Sequence, residues 1–423
     1  MSMSAKYTKE YLAELQGYPL STKVALTKQR IREWVNRYGE DGVYVSFSGG
    51  KDSTVLLHLV REMYGDSIPG VFVDTGLEFP EIRQFVRNFD NIVWLKPKKN
   101  FRKVIEEYGY PFISKEVSEC VYAARKYLTE VLQELGSDRQ TDRQTDRQTD
   151  GISGTTRSTV SYVDLVSMLN PTRGGETLSI ENSEDFLNIL KRDQGKKSTY
   201  RLARMLGMLT MNNEYQTAEN IPSGSRSMFA QTKYKFFLEP DAPTISNYCC
   251  TVMKKEPAHR YSRETGRMPM TAEMASESRI RTQKWLQNGC NGFDMRSPKS
   301  TPMAFWTEQD VLLYIYQNHI PIASVYGDVV KENEVIGQLD FDDIGIFDLG
   351  RPTLKTTGCK RTGCMFCAYG SHLDPEGEER FVRLKQTHPK VYDYIMRPWD
   401  EGGLNYKEVI DWINEHGNLN IKY

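Results

Sequence analysis

The stretch Val43-Tyr44-Val45-Ser46-Phe47-Ser48-Gly49-Gly50-Lys51-Asp52-Ser53 limits what this chain can fold into more than any other part of it. An apolar, β-branched run stops at Ser-Gly-Gly-Lys-Asp-Ser, and helical spacing starts at once with Thr54, Val55, Leu56, Leu57, Leu59 and Val60. A buried strand that feeds a glycine turn and then a helix builds an anion site. The glycines let the backbone approach the anion, and the helix N-terminus offers N–H groups and the positive end of its dipole. Lys51 adds a point charge, and Ser48 and Ser53 add hydroxyls. The spacing differs from the G-x-x-x-x-G-K-[ST] phosphate loop.

The surrounding pattern alternates. Helical spacing runs from Lys23 to Tyr38 and from Ser53 to Tyr64, and strands are expected at Val43–Phe47, Gly70–Val73 and Ile92–Leu95. Pro80 opens a further helix, as proline does in a first turn. The expected class is α/β: a Rossmann-like parallel sheet with helices on both faces and ligands at the carboxyl ends of its strands. The segment Asp74-Thr75-Gly76-Leu77-Glu78-Phe79-Pro80 falls at such an end. Asp74 and Glu78 there suit Mg²⁺ or nucleotide hydroxyls and Gly76 permits close approach; the other reading is a strand-end turn with solvated acids.

Lys and Arg number 55 against 56 Asp and Glu, a net charge of -1, so no global basic field advertises nucleic acid. No apolar run approaches the roughly 20 residues of a membrane span, and MSMSAKYTKEYL lacks the apolar core of a signal peptide. A cytoplasmic protein with no membrane partner is expected. Its 7 cysteines are then reduced, and clustered ones read as metal ligands. Cys249 and Cys250 are adjacent, and Cys364 and Cys367 form a CxxC. Two such pairs suit tetrahedral zinc or a cubane iron–sulfur cluster, with Cys290 and Cys359 competing for a place. Cys120 reads as a small buried residue. Arg279 and Arg281 either clamp a phosphate tail bidentately or lie exposed on an amphipathic helix. Thr307 reads as an N-cap with Asp310 in the first turn.

Asp138 to Asp150 reads DRQTDRQTDRQTD, a tandem repeat with no apolar face, expected as a linker or an irregular helical extension and given no function. The expected division is 1–135, first part of a nucleotide-binding core; 136–231, an insertion; 232–330, the core's second part with the cysteine pair and arginines; and 331–423, a C-terminal region with the CxxC. Lys191, Arg192, Lys196, Lys197, Arg201 and Arg204 form a basic cluster in the insertion, read as a solvated face or a nucleic-acid contact.

The order SGGKDS resembles the PP-loop of the ATP pyrophosphatase superfamily. DTGLEFPE, one βα unit later, is similar to the phosphoadenosine phosphosulfate (PAPS) reductase-like branch. CC-x-x-x-K-x-x-P followed by CxxC resembles its iron–sulfur adenylylsulfate reductases. The resemblance covers residues 20–130 and 232–370 and implies an adenine nucleotide alpha hydrolase-like fold. It implies ATP and Mg²⁺ at Ser48, Gly49, Gly50, Lys51, Asp52, Ser53, Asp74, Thr75, Gly76 and Glu78, with Lys51, Asp52, Arg279 and Arg281 catalytic. It implies a 4Fe-4S cluster, or zinc, on Cys249, Cys250, Cys364 and Cys367, with Lys254 as a nearby cation and Pro257 as the matching turn residue. The family's reductases resemble one another in a tail cysteine, and no cysteine follows Cys367 here. The expected function is therefore cleavage of ATP to AMP and pyrophosphate to activate an acceptor for sulfur transfer. The acceptor would be tRNA, DNA or a small molecule, and the sulfur would come from a cysteine desulfurase or another donor. The alternatives are a sulfonucleotide reductase with its nucleophile moved to Cys290 or Cys359, and a non-catalytic nucleotide- or nucleic-acid-binding module.

Overall fold

A computed structural model describes residues 5–145, 172–173, 176–177, 180–239, 241–332 and 353–423. Two compact units are each built from two stretches: residues 1–100 with 250–366, and residues 101–249 with 367–423.

The first unit is the expected α/β layer structure. Its strands are β1 (Val43–Ser46), β2 (Gly70–Val73), β3 (Ile92–Leu95), β4 (Met268–Met270), β5 (Asn291–Gly292) and β6 (Lys299–Ser300). They lie in the order β3-β2-β1-β4-β6-β5, parallel throughout except for the antiparallel β5–β6 edge. β1 is central, and Val43, Tyr44 and Val45 are all buried, which is why the strand reads as an unbroken apolar run. Crossovers from β1 to β2 and from β2 to β3 use the helices Lys51–Tyr64 and Pro80–Val86. The first begins at Lys51, two residues before the position expected from its apolar spacing, because Gly50 serves as N-cap. The helices Leu20–Tyr38 and Glu308–Gln317 pack beside Lys51–Tyr64, and Ile31, Trp34, Val55, Leu59, Trp306 and Val311 share one core with the sheet.

Thr307 caps the helix Glu308–Gln317 by accepting from the Asp310 N–H, and Asp310 Oδ2 accepts in return from the Thr307 N–H at 2.7 Å, a capping box. The same carboxylate meets Lys23 Nζ at 2.6 Å, with the two side chains 1% and 0% exposed.

In the second unit, the helix Lys115–Thr145 packs on Lys197–Leu206, and the strand Phe112–Ile113 pairs in parallel with Ala368–Tyr369. That long helix runs into the DRQT repeat as far as Thr145; the rest of the repeat, through Asp150, lies outside the described residues. The basic cluster of the insertion is partly charge-compensated. Arg201 pairs with Glu119, Arg204 with Glu116 at 2.7 Å, and Lys196 and Arg192 with Asp193 at 2.9 and 3.3 Å. Four of its six cations thus lie against the unit's own carboxylates. Cys120 is buried as expected, its thiol pushed up to about 11 by that burial. Among the described residues, no helix is long and apolar enough to cross a membrane.

Candidate nucleotide site

At the carboxyl end of β1 the chain turns through Ser48, Gly49 and Gly50 into the helix Lys51–Tyr64. Gly49 has φ +71°, and a Cβ there would stand 2.8 Å from both Ile82 Cγ2 and Val86 Cγ2. The turn therefore needs glycine for its backbone angle and for its seat on the helix Pro80–Val86. Gly49→Ala is expected to cost about 2–3 kcal/mol from overpacking and left-handed strain, read by chemical unfolding. A cost below about 0.5 kcal/mol would show that the seat is soft.

Hydroxyls organise the rest of the loop. Ser53 Oγ donates to the Gly50 carbonyl at 2.9 Å and accepts from the Ser48 N–H at 3.2 Å. Ser48 Oγ accepts from the Gly50 N–H at 3.4 Å. Lys51 is buried; its Nζ donates to Glu308 Oε1 at 2.8 Å and to the Lys360 carbonyl at 2.9 Å. Its N–H donates to Tyr326 Oη at 3.3 Å. Burial pushes the Asp52 carboxyl above its ordinary value; Lys51 pulls it back, Glu308 adds to the rise, and Arg361 and Arg281 also lower it. One carboxylate thus senses three cations around the loop.

The arginine segment is split. Ser278 caps the helix Arg279–Asn288, and Arg281, within electrostatic reach of Asp52, is ion-paired to Glu277. Arg279 is exposed, and none of the described contacts ties it to the loop. At the end of β2, Asp74 and Glu78 are held by their own turn. Glu78 accepts from the Thr75 N–H at 3.1 Å and hydroxyl at 2.7 Å, and Asp74 accepts from the Gly76 N–H at 3.3 Å and from Arg83 at 2.9 Å. Gly76, at φ +76°, has open space where a Cβ would go. Arg361 and Tyr326 were not expected at this site; they lie about 300 residues along the chain from the loop, and no local pattern marks them.

The cysteines fall in two environments. In the first unit a π-helical turn, Thr251–Lys255, leads into the helix Glu256–Thr265, with Pro257 in its first turn. π-turns gather at functional positions. Burial there pulls the Lys254 ammonium down, but Cys364, Glu78 and Cys250 outweigh it and hold it above the ordinary lysine range. A cation beside two sulfurs is the setting in which cysteines act as thiolates. In the second unit, burial first and then Cys249 and Cys367 raise the Tyr406 phenol well above its usual value. Cys290 lies buried beneath Trp285, whose Nε1 donates to its sulfur at 3.4 Å, and burial raises its thiol; that is a packing role rather than a reactive one. Among the described residues, no three His, Cys, Asp or Glu side chains are grouped so as to hold a metal ion.

Known proteins resemble parts of the chain. A probable FAD synthase of Caenorhabditis briggsae is 37% identical over 86 residues, 19% of this chain and 16% of that protein. A GMP synthase (glutamine-hydrolyzing) of Thermomicrobium roseum is 44% identical over 59 residues, 14% of this chain and 11% of that one. An uncharacterised protein of Methanocaldococcus jannaschii is 42% identical over 73 residues, and the match spans 15% of its length. These curated relatives are thus matched over less than a fifth of their length. A crystal structure of phosphoadenylyl-sulfate (PAPS) reductase from Candida auris, a phosphate complex, aligns with 82% of this chain and 97% of its own at 12% identity and a TM-score of 0.30, too slight a likeness to argue from. The family model of the phosphoadenosine phosphosulfate reductase domain matches residues 42–138 and 152–369, a span that takes in the loop, the arginine segment and both cysteine pairs. By that match the chain belongs to the phosphoadenosine phosphosulfate reductase domain family.

Proposed function

We propose that this protein binds ATP at the Ser48–Ser53 loop and cleaves it to AMP and pyrophosphate, activating an acceptor for sulfur transfer. The observation that carries the reading is the loop itself, a glycine turn at the end of the central strand with a buried lysine, beside which Arg281 and Arg361 bear on Asp52. Family membership and the local likeness to proteins named as FAD and GMP synthases support a nucleotide substrate.

In the proposed reaction an acceptor oxygen attacks the α-phosphorus, the bond from that phosphorus to the bridging oxygen breaks, and pyrophosphate leaves with the bonding pair. The terminal sulfur of a persulfide on a donor such as a cysteine desulfurase then attacks the activated carbon, and AMP leaves with the C–O bonding pair. A thiol co-reactant cleaves the resulting acceptor–donor disulfide, releasing the thiolated acceptor and leaving the donor sulfur in a disulfide with that thiol. Lys51 and Arg281, joined by Arg279 if the substrate reaches it, would stabilise charge developing on the phosphates, and Asp52 would keep them oriented. Mg²⁺ enters as the counter-ion of ATP. The acceptor class, tRNA, DNA or a small molecule, is part of the proposal.

Cys249, Cys250, Cys364 and Cys367 are proposed as ligands of a 4Fe-4S cluster, with zinc as the alternative. This rests on their spacing and on the Lys254 cation beside Cys250 and Cys364, and no chemical step is routed through it. A second reading, a sulfonucleotide reductase, is favoured by one observation: Cys359 directly precedes Lys360, whose carbonyl holds Lys51.

The test uses anaerobically purified protein and ATP labelled at the α-phosphate, with and without bulk tRNA or DNA, and its iron, sulfide and zinc are quantified in the same preparation. Acceptor-stimulated release of AMP and pyrophosphate is expected. Unchanged ATP beside sulfite release from PAPS or adenylylsulfate would replace this reading with the reductase.

A further inference from the structure

A strap from Thr357 to Gly363 crosses the mouth of the loop. It is clasped by backbone bonds: the Gly358 N–H donates to the Tyr326 carbonyl at 2.8 Å, the Cys359 N–H to the Val325 carbonyl at 2.9 Å, and the Thr357 N–H to the Asp328 carbonyl at 2.9 Å. A Cβ at Gly358 would stand 2.5 Å from the Val325 carbonyl oxygen, so only glycine allows this approach. Two residues on, the Lys360 carbonyl holds Lys51 Nζ. Thr362 Oγ1 then shares a 2.5 Å hydrogen bond with Tyr326 Oη, the group that accepts the Lys51 N–H. A Cβ on Gly50 would lie 3.3 Å from Tyr326 Oη and 3.8 Å from Thr362 Oγ1.

Arg361 stands between these two anchors. Its neighbours on the strap are fixed to the loop, yet its own side chain is exposed and, among the described residues, makes no hydrogen bond or ion pair. Of the three cations that bear on Asp52, Lys51 is engaged by Glu308 and Arg281 by Glu277, which leaves the Arg361 fork as the one not engaged by a carboxylate at hydrogen-bond distance. A guanidinium presented by a fixed backbone is suited to bidentate capture of phosphate oxygens.

We propose that Arg361, held by the strap, grips the distal phosphates of a polyphosphate at this loop, so that the site separates a nucleoside triphosphate or pyrophosphate from a monophosphate. The inference rests on the nucleotide reading and adds a specificity residue to it. It predicts a split between ligands. In calorimetric titrations of the whole chain, Arg361→Ala weakens ATP and pyrophosphate by a factor on the order of ten or more, as loss of a charged hydrogen-bond pair does, and AMP by less than about threefold. Arg361→Lys, which keeps the charge and loses the fork, falls between. Equal losses for ATP and AMP, or no loss for either, overturn the assignment of Arg361 while the loop reading stands. Absence of ATP and AMP binding by the unaltered protein overturns both.

Discussion

Replacing Lys51 by alanine is expected to lower ATP turnover by about a thousandfold while leaving the unfolding midpoint close to that of the unaltered protein. The size follows from what preorganised charge contributes where negative charge develops on a transferring group, roughly 10²–10³ for a single donor. The small effect on folding follows from the surroundings. The Glu308 carboxylate that loses its partner is 42% exposed and can turn to water. Alanine is also the best helix former at the first position of the helix Lys51–Tyr64. Steady-state kinetics beside thermal unfolding by circular dichroism would read both. Full turnover in the variant would remove the loop from the chemistry, and collapse of the fold would make Lys51 a structural residue instead.

The second large effect is on stability. Asp310→Ala is expected to destabilise the chain by about 3–5 kcal/mol, because Lys23 keeps its charge at a site with no exposure and loses its carboxylate. Loss of the capping box at Thr307 adds about 1 kcal/mol. The pairing of Lys23→Met with Asp310→Leu should recover most of this, since two apolar groups leave no buried charge behind. Urea unfolding of the three variants checks it: a single-variant loss under about 1 kcal/mol would mean that water reaches Lys23. The pair also bears on the site, because Asp310 anchors the start of the helix whose first residue, Glu308, holds Lys51.

How far the sequence carries depends on the range of the interaction. The loop was legible because strand, glycine turn and helix follow one another within about 20 residues, each with its own local signature. The Thr307–Asp310 cap was legible for the same reason. Lys23, which meets Asp310 from 287 residues away, was not, since a lysine on a helical stripe looks like any solvated cation until its partner is placed. β4, β5 and β6 escaped notice because strands of two or three residues carry no periodicity. The arginines were legible as a type but not in their placement: positions two apart on a helix point about 200° apart, so Arg281 comes within electrostatic reach of Asp52 while Arg279 is exposed. In the insertion's basic cluster the Asp193 pairs are local, whereas Arg201 and Arg204 find Glu119 and Glu116 only once the helices pack, so those two pairs were not legible.

The π-helical turn at Thr251–Lys255 is an α-helical turn with a surplus residue, and its consequence is one of phase. An α-helix advances by about 100° per residue. Deleting one of Thr251, Val252 or Met253 would let the segment relax into ordinary α-helix and leave Lys254 three positions after Cys250 instead of four, changing the turn of the helix from which the ammonium meets the sulfur. A point substitution in the turn alters one side chain, but a one-residue gap alters which sulfur the ammonium faces. Among sequences that keep this lysine beside a cysteine, length between the two should therefore be guarded more strictly than composition.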